Sequence, residues 1–190
     1  MANSQFNVLG FAGSLRQASH NRALLQTAKE LAPPELNIRI FDLLPIPPFN
    51  EDVEAKGDPE SVQEFKKAIG ESDGLLIATP EYNYGVSGVL KNAIDWASRP
   101  PGKSTIYGKP AAIMGATQGP GGTIRAQLAL RHSFLFLEVH AMLKPEILIA
   151  SSYEKFDDKG NLTDERTREF LVKFLKSFVS WIELIKLKSR

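Results

Sequence analysis

Leu75-Leu76-Ile77-Ala78-Thr79-Pro80-Glu81-Tyr82-Asn83-Tyr84-Gly85-Val86-Ser87-Gly88-Val89-Leu90-Lys91-Asn92-Ala93-Ile94-Asp95-Trp96 decides how the rest of the chain is read. It starts as an uninterrupted apolar run, the pattern of a strand buried on both faces. A loop holding two tyrosines and a proline follows over residues 80–85. Val86, Val89, Leu90, Ala93, Ile94 and Ala97 then recur at helical spacing, and Pro100-Pro101-Gly102 stops that helix. Strand, loop and helix in this order build open α/β sheets, which bind ligands at the carboxyl ends of their strands. Tyr82, Asn83 and Tyr84 stand where a flat aromatic ligand can stack and hydrogen-bond; the competing reading makes them ordinary turn residues.

The same unit recurs on either side. Upstream, residues 6–12 read as a strand, and Leu24, Leu25, Ala28 and Leu31 give a helix stopped by Pro33-Pro34. Residues 36–41 alternate as a second strand. After the proline-rich residues 44–57, Asp58 is expected to cap a helix with Pro59 and Glu60 in its first turn and Val62, Phe65 and Ile69 facing inward. Residues 74–78 are the third strand. Downstream, residues 110–116 read as a fourth strand, a helix runs from about Thr123 along an apolar run to Val139, and residues 145–150 read as a fifth strand. The last helix begins near Thr163. Phe170, Leu171, Phe174, Leu175, Phe178, Ile182 and Ile185 form its buried stripe, and Lys186, Lys188 and Arg190 suit its C-terminal dipole. Five strands alternating with five helices predict a parallel sheet covered on both faces. The fold class is therefore α/β, flavodoxin-like, with order 2-1-3-4-5, and residues 1–190 are expected to form one domain.

Composition excludes several chemistries. The 190 residues contain no cysteine, which removes disulfides, thiolate catalysis and cysteine-held metal clusters. A net charge of +1 gives no reason to expect nucleic acid or an anionic membrane as partner. No apolar run approaches the roughly 18 residues of a membrane span. Met1-Ala2-Asn3-Ser4-Gln5 has no basic segment leading into an apolar one, so a secretory signal is not expected and the cytoplasm is the default location. No metal site is expected.

Three loops carry the chemistry. In the first, residues 13–21, Ser14 and Ser19 offer hydroxyls, Asn21 an amide and Arg16 a fixed charge, beside the free N–H groups of a helix start. That set suits a phosphate monoester; a helix cap followed by a solvated arginine is the plainer alternative. The Walker A and dinucleotide glycine spacings are absent. The second loop is residues 80–85. The third, residues 116–122, holds three glycines that allow close backbone approach or a simple turn. In order 2-1-3-4-5 the strands feeding these loops are adjacent, and two of them flank the topological switch point. An anion cradle, an aromatic loop and a glycine-rich floor then meet in one crevice, a description that flavin mononucleotide fits.

The motifs Gly13-Ser14-Leu15-Arg16-x-x-Ser19-x-Asn21, Thr79-Pro80-Glu81-Tyr82-Asn83 and Leu90-Lys91-Asn92-Ala93-Ile94-Asp95-Trp96 resemble those of the NADPH-dependent FMN reductases, which include bacterial quinone, azo and chromate reductases. The resemblance covers nearly the whole chain and preserves motif order. It implies FMN as cofactor and NADPH or NADH as co-substrate. It implies a phosphate held by Ser14, Arg16, Ser19 and Asn21, with Leu15 and His20 in the same loop. Pro80, Glu81, Tyr82 and Asn83 would line the ring and ribityl chain, partly through backbone groups, and Ala116 and Thr117 would complete the site. One departure is Ser87-Gly88 where many members have Pro-Gly, which is expected to loosen the helix start.

The resemblance also implies a homodimer or homotetramer, although Phe134-Leu135-Phe136-Leu137 by itself reads as core. No side chain is expected to be catalytic, because the flavin would carry hydride from NAD(P)H to a small-molecule acceptor by a ping-pong scheme. A flavodoxin-like electron carrier shares fold and cofactor and is the alternative. His20 alone reads as a solvent-facing loop residue, His132 and His140 as structural, Asp42 and Asp95 as surface or cap residues, and Arg125 as either a phosphate or partner contact or a helix ion pair.

Overall fold

The computed structural model describes residues 5–188. The expectations on residues 1–4 and on Arg190 lie outside them. The elements run β1 (Phe6–Ala12), α1 (His20–Glu30), β2 (Leu36–Phe41), α2 (Glu51–Glu54), α3 (Glu60–Glu71), β3 (Gly74–Ala78), α4 (Gly88–Ala97), β4 (Pro110–Ala116), α5 (Ile124–Phe136), β5 (His140–Ala141), β6 (Ile147–Ile149) and α6 (Glu165–Lys188). One parallel sheet has the order β2-β1-β3-β4-β5, with β6 also paired to β4. The flavodoxin-like order expected from the alternation of strands and helices is the one observed.

Strand alternation divides the core between two faces. Val8, Leu76, Ala112 and Met114 point to one side, where α1 and α6 pack with Leu24, Leu25, Phe174 and Phe178. Leu9, Phe11, Leu75, Ile77 and Ile113 point to the other, against Phe65 of α3, Trp96 of α4 and Phe134 of α5. The central strands β3 and β4 are buried at every position, which explains why they read as continuous apolar runs. The α6 stripe buries Leu171, Phe174, Leu175, Phe178, Ile182 and Ile185. Each such side chain contributes about 1.5–3 kcal/mol of transfer free energy. No helix among the described residues is long and apolar enough to cross a membrane.

Five expectations change, the first being Phe170, expected in the buried stripe of α6 yet 42% exposed. The fifth strand is split: β5 pairs the start of β4 and β6 its end, and the chain leaves the edge over residues 142–146. Pro145 sits in this excursion and has no N–H for the ladder, and Arg131 donates to the Met142 carbonyl across it at 2.8 Å. Asp58 does not cap α3; its carboxylate pairs with Lys66 at 2.6 Å, and Pro59 takes the cap position without a side-chain bond. The run from Phe134 to Leu137 is only half core. Phe134 and Leu137 are buried, whereas Leu135 and Phe136 are 77% and 82% exposed, because that face of α5 is uncovered among the described residues. His132 and His140 are exposed.

Candidate active site

The loops after β1, β3 and β4 meet at the carboxyl edge of the sheet and are bonded to one another. Asn21, in the first turn of α1 and buried, donates from Nδ2 to the Ala116 carbonyl at 2.8 Å and accepts from the Ala116 N–H at 2.9 Å. One side-chain amide thereby satisfies both backbone groups at the end of β4. Ser87 donates to the Gly13 carbonyl at 2.6 Å and accepts from the Leu90 N–H at 3.2 Å. It caps α4 and ties that helix to the first loop. The expected loosening is therefore corrected: serine supplies a cap that proline could not. A side chain at Gly13 would meet Leu90 and Ser87 at 2.8 Å, and one at Gly115 would meet the Thr79 carbonyl at 2.5 Å, so glycine permits both close approaches.

Residues 80–85 form a tight hairpin. Tyr82 and Gly85 exchange backbone hydrogen bonds, and Asn83 and Tyr84 occupy positive φ at 49° and 65°, the requirement of a type I′ turn. Glu81 anchors it. Its Oε2 accepts from the N–H groups of Arg125 at 2.9 Å and Ala126 at 3.2 Å, and its Oε1 lies 3.3 Å from the Arg125 guanidinium. The N-cap of α5, Thr123, makes no side-chain cap bond, so Glu81 caps this helix from a distant loop. The Arg125 guanidinium also lies 4.0 Å above the Tyr84 ring. Asn92 and Trp96, from the third sequence motif, are structural: both donate to the Pro47 carbonyl and hold the proline-rich loop.

A cavity of about 330 Å³ opens between the loops. Ten of the twelve expected cofactor residues line it: Ser14, Arg16, Ser19, His20, Asn21, Pro80, Glu81, Tyr82, Ala116 and Thr117. Asn83 is at the exposed hairpin tip, and Leu15 packs against the core. Gln118 and Ser152 line the cavity without having been expected. Gln118 belongs to the third loop; Ser152 follows β6, whose carboxyl end joins the same sheet edge.

The cradle is rich in donors. Ser19 is the N-cap of α1. The backbone N–H groups of residues 15–18 have no protein acceptor among the described residues, and Arg16 has no carboxylate partner among them. The one carboxylate lining the cavity, Glu81, is already engaged. His20 stacks on Phe156 with centroids 4.6 Å apart, and its Nδ1 is 2.8 Å from Ser152 Oγ. Burial, then the charge of Arg16, lowers the His20 pKa below its ordinary value of 6.5. These groups suit a phosphate dianion at one end, beside a platform formed by Pro80 and Tyr82.

The family described as NADPH-dependent FMN reductase matches residues 6–154. An NAD(P)H-dependent FMN reductase of Pseudomonas aeruginosa is 49% identical over 179 residues, covering 94% of this chain and 96% of the relative. A quinone reductase of Pseudomonas putida is 42% identical, with the same shares covered. Among solved structures, the flavoenzyme FerB of Paracoccus denitrificans, an NAD(P)H:(acceptor) oxidoreductase, superimposes with a TM-score of 0.85 at 39% identity over 94% of this chain and 97% of that one.

Two outcomes follow from the loop bonds and from His20. Asn21→Ala leaves both backbone groups of Ala116 unpaired and is expected to cost about 2–6 kcal/mol in urea unfolding. For His20, the folded state binds its proton at lower pH than the unfolded chain does. Stability therefore falls as pH drops below 6.5 through the lowered value, and then levels off. The melting temperature of flavin-free His20→Gln is expected to fall less over that acid range than that of the parent.

Proposed function

The chain belongs to the NADPH-dependent FMN reductase family, and from that premise we propose that it passes reducing equivalents by a ping-pong scheme from NAD(P)H to quinones, azo compounds, flavins, or metal oxyanions and chelates such as chromate and ferric complexes. It is an NAD(P)H-dependent oxidoreductase with FMN as cofactor. The observation that carries the reading is the meeting of three mutually bonded loops on one cavity with unpaired donors at one end.

The residues present fit the cofactor. Ser14, Arg16 and Ser19, with the amides of residues 15–18, supply donors to a phosphate, and Glu81, the carboxylate that lines this cavity, is already engaged. Asn21 holds the cradle against the third loop, so its share in phosphate binding is its backbone N–H and the register it imposes. Pro80, Tyr82, Ala116 and Thr117 form the wall for the ring. When bound, FMN supplies the chemistry, accepting a hydride and releasing the electrons to an acceptor. Glu81 fixes the hairpin, and exposed Tyr82 and Tyr84 leave its outer side open. Reductant and acceptor then take turns at one open face, and no side chain has to serve as nucleophile.

The exposed Leu128, Leu135 and Phe136 of α5, with Leu143 beyond β5, support a homo-oligomer assembled through that side. An enzyme that draws on NAD(P)H fits the cytoplasm.

Anaerobic stopped-flow of the FMN-loaded protein tests the reading. NADPH is expected to bleach the flavin band near roughly 450 nm, a quinone to restore it, and steady-state double-reciprocal plots to be parallel. Bound flavin that stays oxidised for minutes would point to an electron carrier, and intersecting plots would contradict the ping-pong scheme.

A further inference from the structure

Ser152 lies in the short 3-10 turn Ser152–Glu154 after β6, outside all three sequence motifs. It is 1% exposed yet lines the same cavity as Ser14, Arg16 and Ser19. Its N–H donates to the Thr117 carbonyl at 3.0 Å, which seats the turn against the third loop. Its hydroxyl is 2.8 Å from His20 Nδ1, and the His20 ring is held by its stack on buried Phe156. The phosphate end of the cavity is thus closed from two directions, by the loop after β1 and by a hydroxyl after β6.

We infer that Ser152 donates a hydrogen bond to the FMN phosphate and that His20 is a positioning residue which orients this hydroxyl through Nδ1–H. The inference rests on the FMN reading of the site. The chemistry of the pair decides the direction of the bond. Burial and the neighbouring Arg16 keep the imidazole neutral near pH 7, so it carries one N–H. With the hydrogen on Nδ1, His20 donates to Ser152 Oγ and the hydroxyl hydrogen is free to turn to the cavity. With the hydrogen on Nε2, Ser152 must donate to His20 and presents only lone pairs to an anion. A phosphate in the cavity therefore selects the Nδ1–H tautomer, giving the relay Nδ1–H to Oγ–H to phosphate oxygen. Stacking on Phe156 at an interplanar angle of 8° holds the plane of the ring, and the 2.8 Å contact to Ser152 sets which edge faces the hydroxyl.

The test is flavin affinity of the full chain stripped of cofactor, read from flavin fluorescence for FMN and for riboflavin, which lacks the phosphate. Ser152→Ala is expected to weaken FMN about tenfold, the size of one charge-assisted hydrogen bond, and riboflavin less than twofold. His20→Phe keeps a ring on Phe156 but loses the N–H, and is expected to weaken FMN selectively as well. His20→Asn places an amide donor near the Nδ1 position and is expected to recover most of the FMN affinity. The double variant Ser152→Ala/His20→Phe is expected to bind FMN no more weakly than Ser152→Ala alone, because both act on one contact. Unchanged FMN affinity in Ser152→Ala, or equal weakening of FMN and riboflavin, would overturn the inference while leaving the cofactor reading intact. A parent chain that binds neither flavin would overturn both.

Discussion

The site depends on the two hydrogen bonds between the Asn21 side chain and the backbone of Ala116. They join the helix that follows β1 to the end of β4, two strands away in the sheet, with β3 between them. Both backbone groups lie where the ladder ends, and each would cost about 1–3 kcal/mol if left unpaired. A second bond, from Ser87 to the Gly13 carbonyl, fixes the same loop to the helix after β3. Three loops that could move separately are thereby held in one register. The cradle is assembled by the fold, so a ligand need not spend binding energy on collecting it.

The charges follow the same plan. A phosphate site needs donors and an absence of competing acceptors. Arg16 and the amides of residues 15–18 are uncommitted among the described residues, while the nearby carboxylate of Glu81 is spent on the N-terminus of α5 and on Arg125. Glu81 therefore serves twice: it removes a negative charge from competition and pins the tyrosine hairpin. That division leaves Tyr82 and Tyr84 exposed at the mouth, an aromatic surface that the proposed nicotinamide or acceptor would meet on entry.

Sequence periodicity is sufficient for the order and the centre of the sheet, though not for its split edge, because the central strands are buried on both faces and read as unbroken apolar runs. The loops were legible because Ser14, Arg16 and Ser19 combine donors with a helix start. What stayed hidden depends on contacts between segments distant in sequence. Glu81 reads as a ligand-facing acid, yet it caps a helix 44 residues on. Ser87 reads as a weaker proline, yet its hydroxyl reaches Gly13, 74 residues back. Ser152 carries no local signal, and only the pairing of β6 with β4 brings it to His20, 132 residues away. Leu135 and Phe136 share an apolar run with buried Phe134 and Leu137, and helical geometry turns them outward.

The most direct measurement is a crystal structure of the FMN complex. The phosphate is expected within hydrogen-bond distance of the Ser14 and Ser19 hydroxyls and the amides of residues 15–18, with the ring against Pro80 and Tyr82 and the Asn21–Ala116 bonds unchanged. A flavin bound away from these loops, or one whose phosphate points into solvent while the cradle stays empty, would contradict the account.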